Sequence, residues 1–327
     1  MQTTRCLSLI VLTAIACASG KAEEEMPATP DGASHVPPQV PPQAPDAASQ
    51  VAQDGALDGD GVQMLFPSAS SGVSFRLGPN NPNDTDRFLI EKGTKATPGT
   101  DGGIHFWNLP SYPLDYSSGG KGWTSRLHVH ASGGEQKYTW KTQHGYLSSP
   151  QDLKNQEFTV YVRPHQILDR PRAALTLKIR GGKHSSKESE AALGSCTMMV
   201  LSPASEGHVA RFGKELNHPT YDYVKLTSAF SAEMADNVWV GMKLVSYAQS
   251  GKVINRLYLD TDPFDRTSGK PKNGWRLFSE YVDEEGKSTG TYTKLVDWGG
   301  WQTTFRTDGI HDMDVAIFSV REIVPPG

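Results

Sequence analysis

The chain has only three cysteines among its 327 residues, which excludes a fold held together by a framework of disulfide bonds. Cys6 and Cys17 lie in the N-terminal segment, and Cys196 stands alone next to Met198 and Met199 in an apolar run. A thiol in such a run is expected to be a small buried hydrophobe rather than a catalytic nucleophile.

Charge and long apolar runs are also scarce. The formal net charge of -4 excludes a dedicated nucleic-acid-binding protein, which would need a surplus of basic residues. Beyond the N-terminal segment, no run approaches the roughly 18 apolar residues that a membrane helix needs. The chain also lacks a phosphate-binding glycine loop, a nucleophile elbow and a Cys-x-x-Cys pair. We therefore expect no nucleic-acid partner, and contact with a membrane only through the N-terminus.

The N-terminal segment has the features of a targeting signal. Arg5 supplies a positive charge, residues 7–15 are apolar, and Ala14-Ile15-Ala16-Cys17 resembles the bacterial lipobox, whose cysteine becomes lipidated. An ordinary signal peptide cut nearby is the alternative. The expected location is the bacterial cell envelope, either lipid-anchored at the outer membrane or cell surface, or secreted.

Two further regions follow the signal peptide of residues 1–17. Residues 18–61 are rich in proline and alanine, with too little apolar surface to fold, and are expected to form a disordered tether. Residues 62–327 contain short β-rich runs separated by Gly, Asn, Asp and Pro, without a convincing amphipathic helix or internal repeat. This pattern predicts an all-β domain, a two-sheet sandwich or jelly roll. The candidate strands are residues 74–77, 87–91, 104–107, 125–130, 137–141, 158–163, 174–180, 197–201, 209–213, 238–249, 253–260, 275–282, 302–306 and 315–323.

The longest strand-like run, residues 238–249, separates its side chains into two faces. Met242 and Leu244 share an apolar face, whereas Lys243, Tyr247 and Gln249 share a polar face, because successive strand residues point in opposite directions. The polar face is the first candidate for a functional surface.

Three other candidate strands also have a face with cationic residues. These residues are Arg163 in 158–163, Lys178 and Arg180 in 174–180, and Arg256 in 253–260. If these faces belong to one sheet, they form a cationic surface with tyrosines, suited to an extended anionic chain such as a uronic-acid polysaccharide. The alternative is that outward strand positions simply carry soluble side chains.

The segment Lys243-Leu244-Val245-Ser246-Tyr247-Ala248-Gln249 resembles the Lys-x-x-x-Tyr-x-Gln core of a late strand in the alginate-lyase-like polysaccharide lyases of family seven. The whole β-rich domain also looks like the concanavalin-type jelly roll of those enzymes. The resemblance implies that Tyr247 is the general acid, and often the base, of a β-elimination, and that Lys243 and Gln249 line the same groove. Such a reaction also needs a group that neutralises the uronate carboxylate.

Two motifs of that family are missing from this chain. The Arg-x-Glu-Leu-Arg strand has no counterpart, since residues 124–128 lack the glutamate, and the Gln-x-His motif is absent. At about the right distance before Lys243 stands a Gly-Gly segment, in which Arg180 and His184 are the candidates for the neutralising and basic roles. A glycine bulge with a surface histidine is the alternative.

The sequence thus predicts a surface lipoprotein that interacts with an anionic polysaccharide, with lyase activity as the main hypothesis. A non-catalytic carbohydrate-binding or adhesive module and a structural envelope protein are the alternatives. The candidate catalytic residues are Tyr247, His184 and Arg180. The candidate substrate-binding residues are Lys178, Lys243, Gln249, Arg163 and Arg256.

No cofactor is expected, apart from calcium as a hypothesis. Asp260, Asp262 and Asp265 offer the carboxylate oxygens that calcium prefers, although an acidic turn after a strand is the favoured alternative. His128 and His130 have a spacing compatible with zinc but no obvious third ligand.

Overall fold

The computed structural model describes residues 55–77, 82–83, 88–90, 94–115, 121–130, 153–181, 196–203, 210–217, 220–287, 289–300 and 302–326. Cys17, His184, the signal and most of the tether lie outside the described residues, as does the candidate strand at 137–141. Within the described ranges, no helix has the length and apolar character needed to cross a membrane.

The described part of the chain forms sixteen β-strands. They are β1 (Ser74–Arg76), β2 (Phe88–Ile90), β3 (Thr97–Asp101), β4 (Ile104–Leu109), β5 (Tyr112–Asp115), β6 (Lys121–His130), β7 (Gln156–Ile167), β8 (Ala174–Gly181), β9 (Cys196–Leu201), β10 (Ala210–Asn217), β11 (Thr220–Leu226), β12 (Val240–Gln249), β13 (Lys252–Asp260), β14 (Arg276–Glu284), β15 (Gln302–Asp308) and β16 (Ile310–Glu322).

The strands form two antiparallel sheets of eight strands each. Sheet I has the order β14-β13-β12-β7-β16-β4-β3, with β1 also paired to β16. Sheet II has the order β11-β10-β9-β8-β15-β6-β2, with β5 also paired to β6. The predicted all-β jelly-roll sandwich of two sheets is therefore confirmed.

The main core lies between the two sheets, as the period-two alternation predicts. Sheet I contributes Phe158, Val160 and Val162 from β7 and Met242 and Leu244 from β12. Sheet II contributes alternate residues that include Leu175, Leu177, Ile179 and Phe305. Each sheet therefore turns its other face away from this core.

A second apolar cluster covers the outer face of sheet I. Tyr161, Tyr247 and Tyr258 belong to this cluster, together with residues from outside the sheet. The covering residues are Val62, Leu65 and Phe66 from the N-terminal part of the domain and Phe264 and Trp275 from the β13–β14 connection. The part of the outer face of sheet I around Tyr247 is therefore buried, although the sequence predicted that it would be an open binding face.

The contacts of the N-terminal part begin before residue 62. Asn273 donates from Nδ2 to the carbonyl oxygen of Gly61 at 3.0 Å, and the amide of Gln63 donates to Asn273 Oδ1 at 2.7 Å. These bonds attach the covering segment to the β13–β14 connection.

Candidate ligand-binding groove

Lys243 and Tyr247, the centre of the predicted site, lie beneath the second apolar cluster. Tyr247 is 2% exposed, and its ring centroid lies 5.7 Å from that of Phe66. Lys243 is 1% exposed, and its Nζ lies 2.6 Å from both Glu157 Oε1 and the carbonyl oxygen of Gln63. Burial lowers the pKa of Lys243, an effect that Glu157 opposes, and burial raises the pKa of Tyr247. The polar face of β12 is thus an internal ion-pair site covered by the chain.

The other predicted residues of sheet I form local contacts. Arg256 Nε lies 2.5 Å from Glu280 Oε2, and its guanidinium carbon lies 6.0 Å from the Tyr247 ring centroid. Gln249 Nε2 donates to the carbonyl oxygen of Pro326 at 3.1 Å.

Arg163 lies at a separate position on the same sheet. It donates from Nε and NH2 to Asp314 Oδ2 at 2.8 and 2.6 Å and also pairs with Asp101. Its guanidinium lies 5.0 and 4.9 Å from the ring centroids of Phe106 and Trp239. The carboxylates of the protein therefore neutralise Arg163 locally.

Arg180 lies on the opposite side of sheet I from Tyr247, because a β-bulge turns it inward. Two residues of β8, Ile179 and Arg180, stand opposite one residue of β15, and Arg180 has a φ of 55°. Its guanidinium donates to the carbonyl oxygen of Trp298 at 2.8 Å and to Ser246 Oγ, on the inner face of β12, at 3.4 Å. The alternation had placed Arg180 outward with Lys178, and this expectation is corrected by the bulge.

The described residues of the predicted catalytic set therefore do not share one groove. Tyr247 lies on the outer face of sheet I and Arg180 lies between the sheets, while His184 is outside the described residues. The expected neutralising partner is separated from the tyrosine by the sheet itself.

The outer face of sheet II carries a different set of cationic residues from the one that the sequence predicted, and only Lys178 belongs to both sets. One row of directly paired residues crosses six neighbouring strands on this face. In spatial order from β6 to β11, the row is Arg126, Arg306, Thr176, Val200, Arg211 and Lys225.

A groove with a cavity of about 280 Å³ lies over the middle of this row. Small side chains form its floor, two tyrosines from β11 form a wall, and three arginines approach it. The lining residues are Ala174, Thr176, Val200, Tyr221, Tyr223, Arg172, Arg211, Arg306, Pro171 and Asp308.

The two tyrosine rings of the groove are nearly parallel. Tyr221 and Tyr223 lie two residues apart on one side of β11, with ring centroids 6.2 Å apart and an interplanar angle of 7°. Gly213 allows this arrangement, because a Cβ at that position would lie 2.7 Å from the Tyr223 ring. Tyr223 is 42% exposed, so its ring is accessible to a ligand.

Two arginines have cationic donors available in the groove. Arg306 NH2 lies 2.6 Å from Asp308 Oδ1, and Arg211 NH2 donates to Ser202 Oγ at 2.8 Å. The buried Nε atoms of Arg211 and Arg306 have no hydrogen-bond partner among the described residues. Buried donors in native proteins normally have partners, so these two Nε atoms are exceptions that the described residues do not satisfy.

Lys178, on β8, contacts Tyr221. Its Nζ lies 2.9 Å from Glu215 Oε2, 3.4 Å from the Tyr221 hydroxyl and 5.0 Å from the Tyr221 ring centroid. Burial lowers the pKa of Lys178, but Cys196, Glu215 and Tyr221 outweigh it, so the pKa is raised overall. Lys178 therefore stays charged and holds Tyr221 against the sheet.

Cys196 lies beside the buried ion pair of Lys178 and Glu215. Its Sγ donates to Glu215 Oε2 at 3.4 Å, and burial raises the pKa of its thiol. The expectation that Cys196 is a buried side chain is confirmed.

The three aspartates predicted to bind calcium each accept hydrogen bonds from the protein instead. Asp260 accepts from the amides of Asp262 and Gly274 at 3.2 and 2.9 Å, and Asp262 pairs with Lys272 at 2.6 Å. Asp265 Oδ1 accepts from the amide of Ser268 at 2.7 Å. In the described part of the chain, no group of three or more His, Cys, Asp or Glu could hold a metal ion.

His128 and Trp298 are also part of the protein interior. His128 Nδ1 lies 2.8 Å from Thr304 Oγ1, and His128 is buried. Trp298 packs in a small cluster with Leu216 and Val296. These contacts are structural.

The sequence interpretation missed β11, and with it both groove tyrosines. The signal was present, because Tyr221, Tyr223 and Lys225 alternate with Asp222, Val224 and Leu226. Strands β3 and β5 were missed as well. Arg211 and Arg306 lie in strands that were predicted, but they were not selected as site residues.

No protein-family model and no curated protein matches this chain. Among solved structures, it is similar to a protein of unknown function with a galectin-like fold from Bacillus subtilis, at 12% identity and a TM-score of 0.41, covering 80% of this chain and all (100%) of that one. It is also similar to the Lotus tetragonolobus seed lectin, at 8% identity and a TM-score of 0.38, covering 78% and 100% of the two chains.

A third similar structure is the calcium-bound exoplasmic/lumenal domain of VIP36, at 10% identity and a TM-score of 0.38, covering 73% of this chain and 85% of that one. These identities and TM-scores are too low to transfer a function. The class of the protein, a two-sheet jelly-roll sandwich with a cationic groove, rests on its own strand topology and side chains.

Proposed function

We propose that the protein is a non-catalytic carbohydrate-binding module that holds an anionic polysaccharide in the groove of sheet II. The observation that carries this proposal is the presence, in one cavity, of two parallel tyrosine rings and of two arginines whose Nε atoms have no partner in the described part of the chain.

Each part of the groove suits one feature of an acidic sugar. A tyrosine ring offers an apolar face to the C–H face of a sugar and a hydroxyl to its polar edge. A guanidinium matches the planar carboxylate of a uronic acid with two parallel donors. Asp308 adds an acceptor for sugar hydroxyl groups at the Arg306 end.

The proposed location follows from the N-terminal sequence. The lipobox-like tetrad would anchor the chain through Cys17, and the proline-rich tether would hold the groove away from the membrane surface. In this position the groove meets polysaccharides of the cell envelope or of the surroundings.

Binding measurements on a mixed panel test this proposal. The panel contains alginate, pectate and glucuronan, neutral glucans, an acidic peptide and single-stranded DNA, each titrated against the full chain. We expect binding to at least one acidic glycan and a loss of about tenfold with Tyr223→Ala, whose side chain is exposed enough for the variant to fold.

Tyr247→Phe is the matched control, because Tyr247 lies under the second apolar cluster on the other sheet. Unchanged binding by Tyr223→Ala, or binding of the peptide or DNA in preference to every glycan, would reject the proposal.

A lyase is the second candidate, and one observation favours it at this groove. The Tyr221 hydroxyl lies 3.4 Å from both Lys178 Nζ and Arg306 NH1. Burial raises the pKa of Tyr221 although Lys178 opposes it, so the phenol is protonated at neutral pH and can act as a general acid.

In a β-elimination, a base removes the C5 proton, the electrons form the C4–C5 double bond, and the C4–oxygen bond breaks. Tyr221 would give its proton to the departing oxygen while Arg306 balances the carboxylate charge. His184 stays the proposed base. The ultraviolet absorbance of the unsaturated product, measured with Tyr221→Phe and Tyr247→Phe side by side, distinguishes the two tyrosines. No absorbance gain with wild-type protein on any acidic glycan rejects the lyase.

A further inference from the structure

Arg306 and Arg211 stand at opposite ends of the groove, as the second and fifth residues of the paired row. Arg306 is the direct partner of Thr176, Thr176 of Val200, and Val200 of Arg211. Neighbouring strands lie about 4.8 Å apart, so the Cα atoms of the two arginines are separated by three spacings, about 14 Å. Within the row, Thr176 and Val200 lie between them, and both have short side chains.

Each arginine has a cationic neighbour on the side away from the groove. Arg126 is the direct partner of Arg306, and Lys225 is the direct partner of Arg211. Like charges on directly opposed strand positions repel each other, which makes each end of the row a strong attractor of negative charge.

The protein neutralises these ends incompletely. Asp308 pairs with Arg306 through NH2 and leaves its Nε open. At the other end, Arg211 bonds to the neutral hydroxyl of Ser202 and packs 5.1 Å from the Tyr223 ring centroid. Within the described ranges, Arg211 forms no ion pair. At both ends, therefore, the guanidinium Nε has no acceptor among the described residues.

Resting on the proposed function, we infer that the groove binds a segment with two acidic groups, one at Arg306 and one at Arg211. The ligand is a polyuronate segment that crosses the strands, with its intervening sugar over Thr176 and Val200 and beside the tyrosines. A single acidic sugar occupies only one end, and a neutral chain offers no anionic acceptor to either Nε atom.

A length series of uronic-acid oligomers tests the inference on the wild-type full chain. Titration calorimetry from the monomer to the hexamer should show affinity rising by about tenfold to hundredfold once an oligomer reaches both ends, and then levelling off. Equal affinity for the monomer and the hexamer would overturn the inference.

Two variants test whether each arginine binds one of the two acidic groups. Arg211→Gln and Arg306→Gln should each remove the gain due to length, and their effects on hexamer binding should add, since the two side chains lie on separate ends of the groove. Arg256→Gln, which removes a cation paired with Glu280 on sheet I, is the control and should bind like wild type.

Carboxyl-reduced hexamers give an answer that does not depend on the folding of a variant. We expect the wild-type protein to lose affinity for them by at least the gain seen in the length series. If it binds reduced and acidic hexamers equally, the inference fails, and so does the anionic part of the proposed function, while glycan binding stands. If no glycan binds at all, both fail.

Discussion

Lys243 Nζ lies 2.6 Å from Glu157 Oε1, and Arg321 NH2 lies 2.6 Å from Glu157 Oε2, with all three side chains buried. One carboxylate thus holds two cations on the outer face of sheet I. It also accepts from the amide of Leu65 at 3.1 Å, so the network joins β7, β12 and β16 to the covering segment. The face that resembled an active site stabilises the fold.

This network predicts that replacing Glu157 and replacing Lys243 have unequal effects on the free energy of unfolding. Glu157→Gln leaves two buried cations without an anion and should lower the free energy of unfolding by about 3–5 kcal/mol. Lys243→Met leaves Glu157 with Arg321 and should cost less. Urea denaturation measures both changes.

Lys252→Met is the control for this pair of variants, because Lys252 forms an exposed ion pair with Glu284. It should change the free energy of unfolding by no more than about 0.5 kcal/mol. Equal costs for Glu157→Gln and Lys243→Met would contradict the role given to Glu157.

Gly213 should control the position of the Tyr223 ring. Gly213→Ala places a Cβ 2.7 Å from that ring and pushes the ring off the sheet. We expect glycan affinity to fall by about 1 kcal/mol, the order of one aromatic contact, with the fold retained. Calorimetry on the acidic glycan measures the change.

Gly251→Ala serves as the comparison for Gly213→Ala. Gly251 lies in the β12–β13 turn at a φ of 74°, so alanine there costs some stability without approaching the groove. A loss of glycan affinity in Gly251→Ala as large as in Gly213→Ala would show that the effect is a general one.

Alkaline pH should destabilise the protein in part through Tyr281, which is 5% exposed and stacks on Phe212 with centroids 4.1 Å apart. Burial, with a smaller effect of Asp283 and Glu284, raises the pKa of Tyr281 from 10.0 to about 12. The Tyr281 phenol ionises at a lower pH in the unfolded chain than in the folded protein. Its contribution to the free energy of unfolding is therefore complete below about pH 10 and is lost as the pH rises towards about 12.

The unfolding free energy of wild type and Tyr281→Phe, measured across this range, checks the sign. The free energy of unfolding should fall more steeply with pH for wild type than for Tyr281→Phe, and the two slopes should differ by at most about 1.4 kcal/mol per pH unit. Parallel curves would show that Tyr281 does not contribute.

Cys17 should determine where the protein resides. If the tetrad ending at Cys17 is a lipobox, Cys17→Ala abolishes incorporation of a labelled fatty acid and moves the protein out of the membrane fraction. Cys196→Ala is the control, since its thiol is buried in sheet II and should accept no lipid. Unchanged membrane association of Cys17→Ala would reject the lipid anchor.

The sequence by itself determined the all-β class, most of the strands and, Arg180 apart, which residues of the predicted strands face the main core. It also placed Cys196 in the interior. These features depend on period-two alternation and on turn residues, which are local properties of the chain. The groove tyrosines carried the same signal in Thr220–Leu226, although it was not used.

Only the tertiary structure decided which faces are open. Val62, Leu65 and Phe66 cover Tyr247 from a distant part of the sequence, and no local pattern shows that contact. The bulge at Arg180 reverses one side chain, because a single extra residue changes the face to which a strand position points. Arg211 and Arg306 form one groove because β10 and β15 belong to the same sheet, which is a consequence of long-range strand pairing.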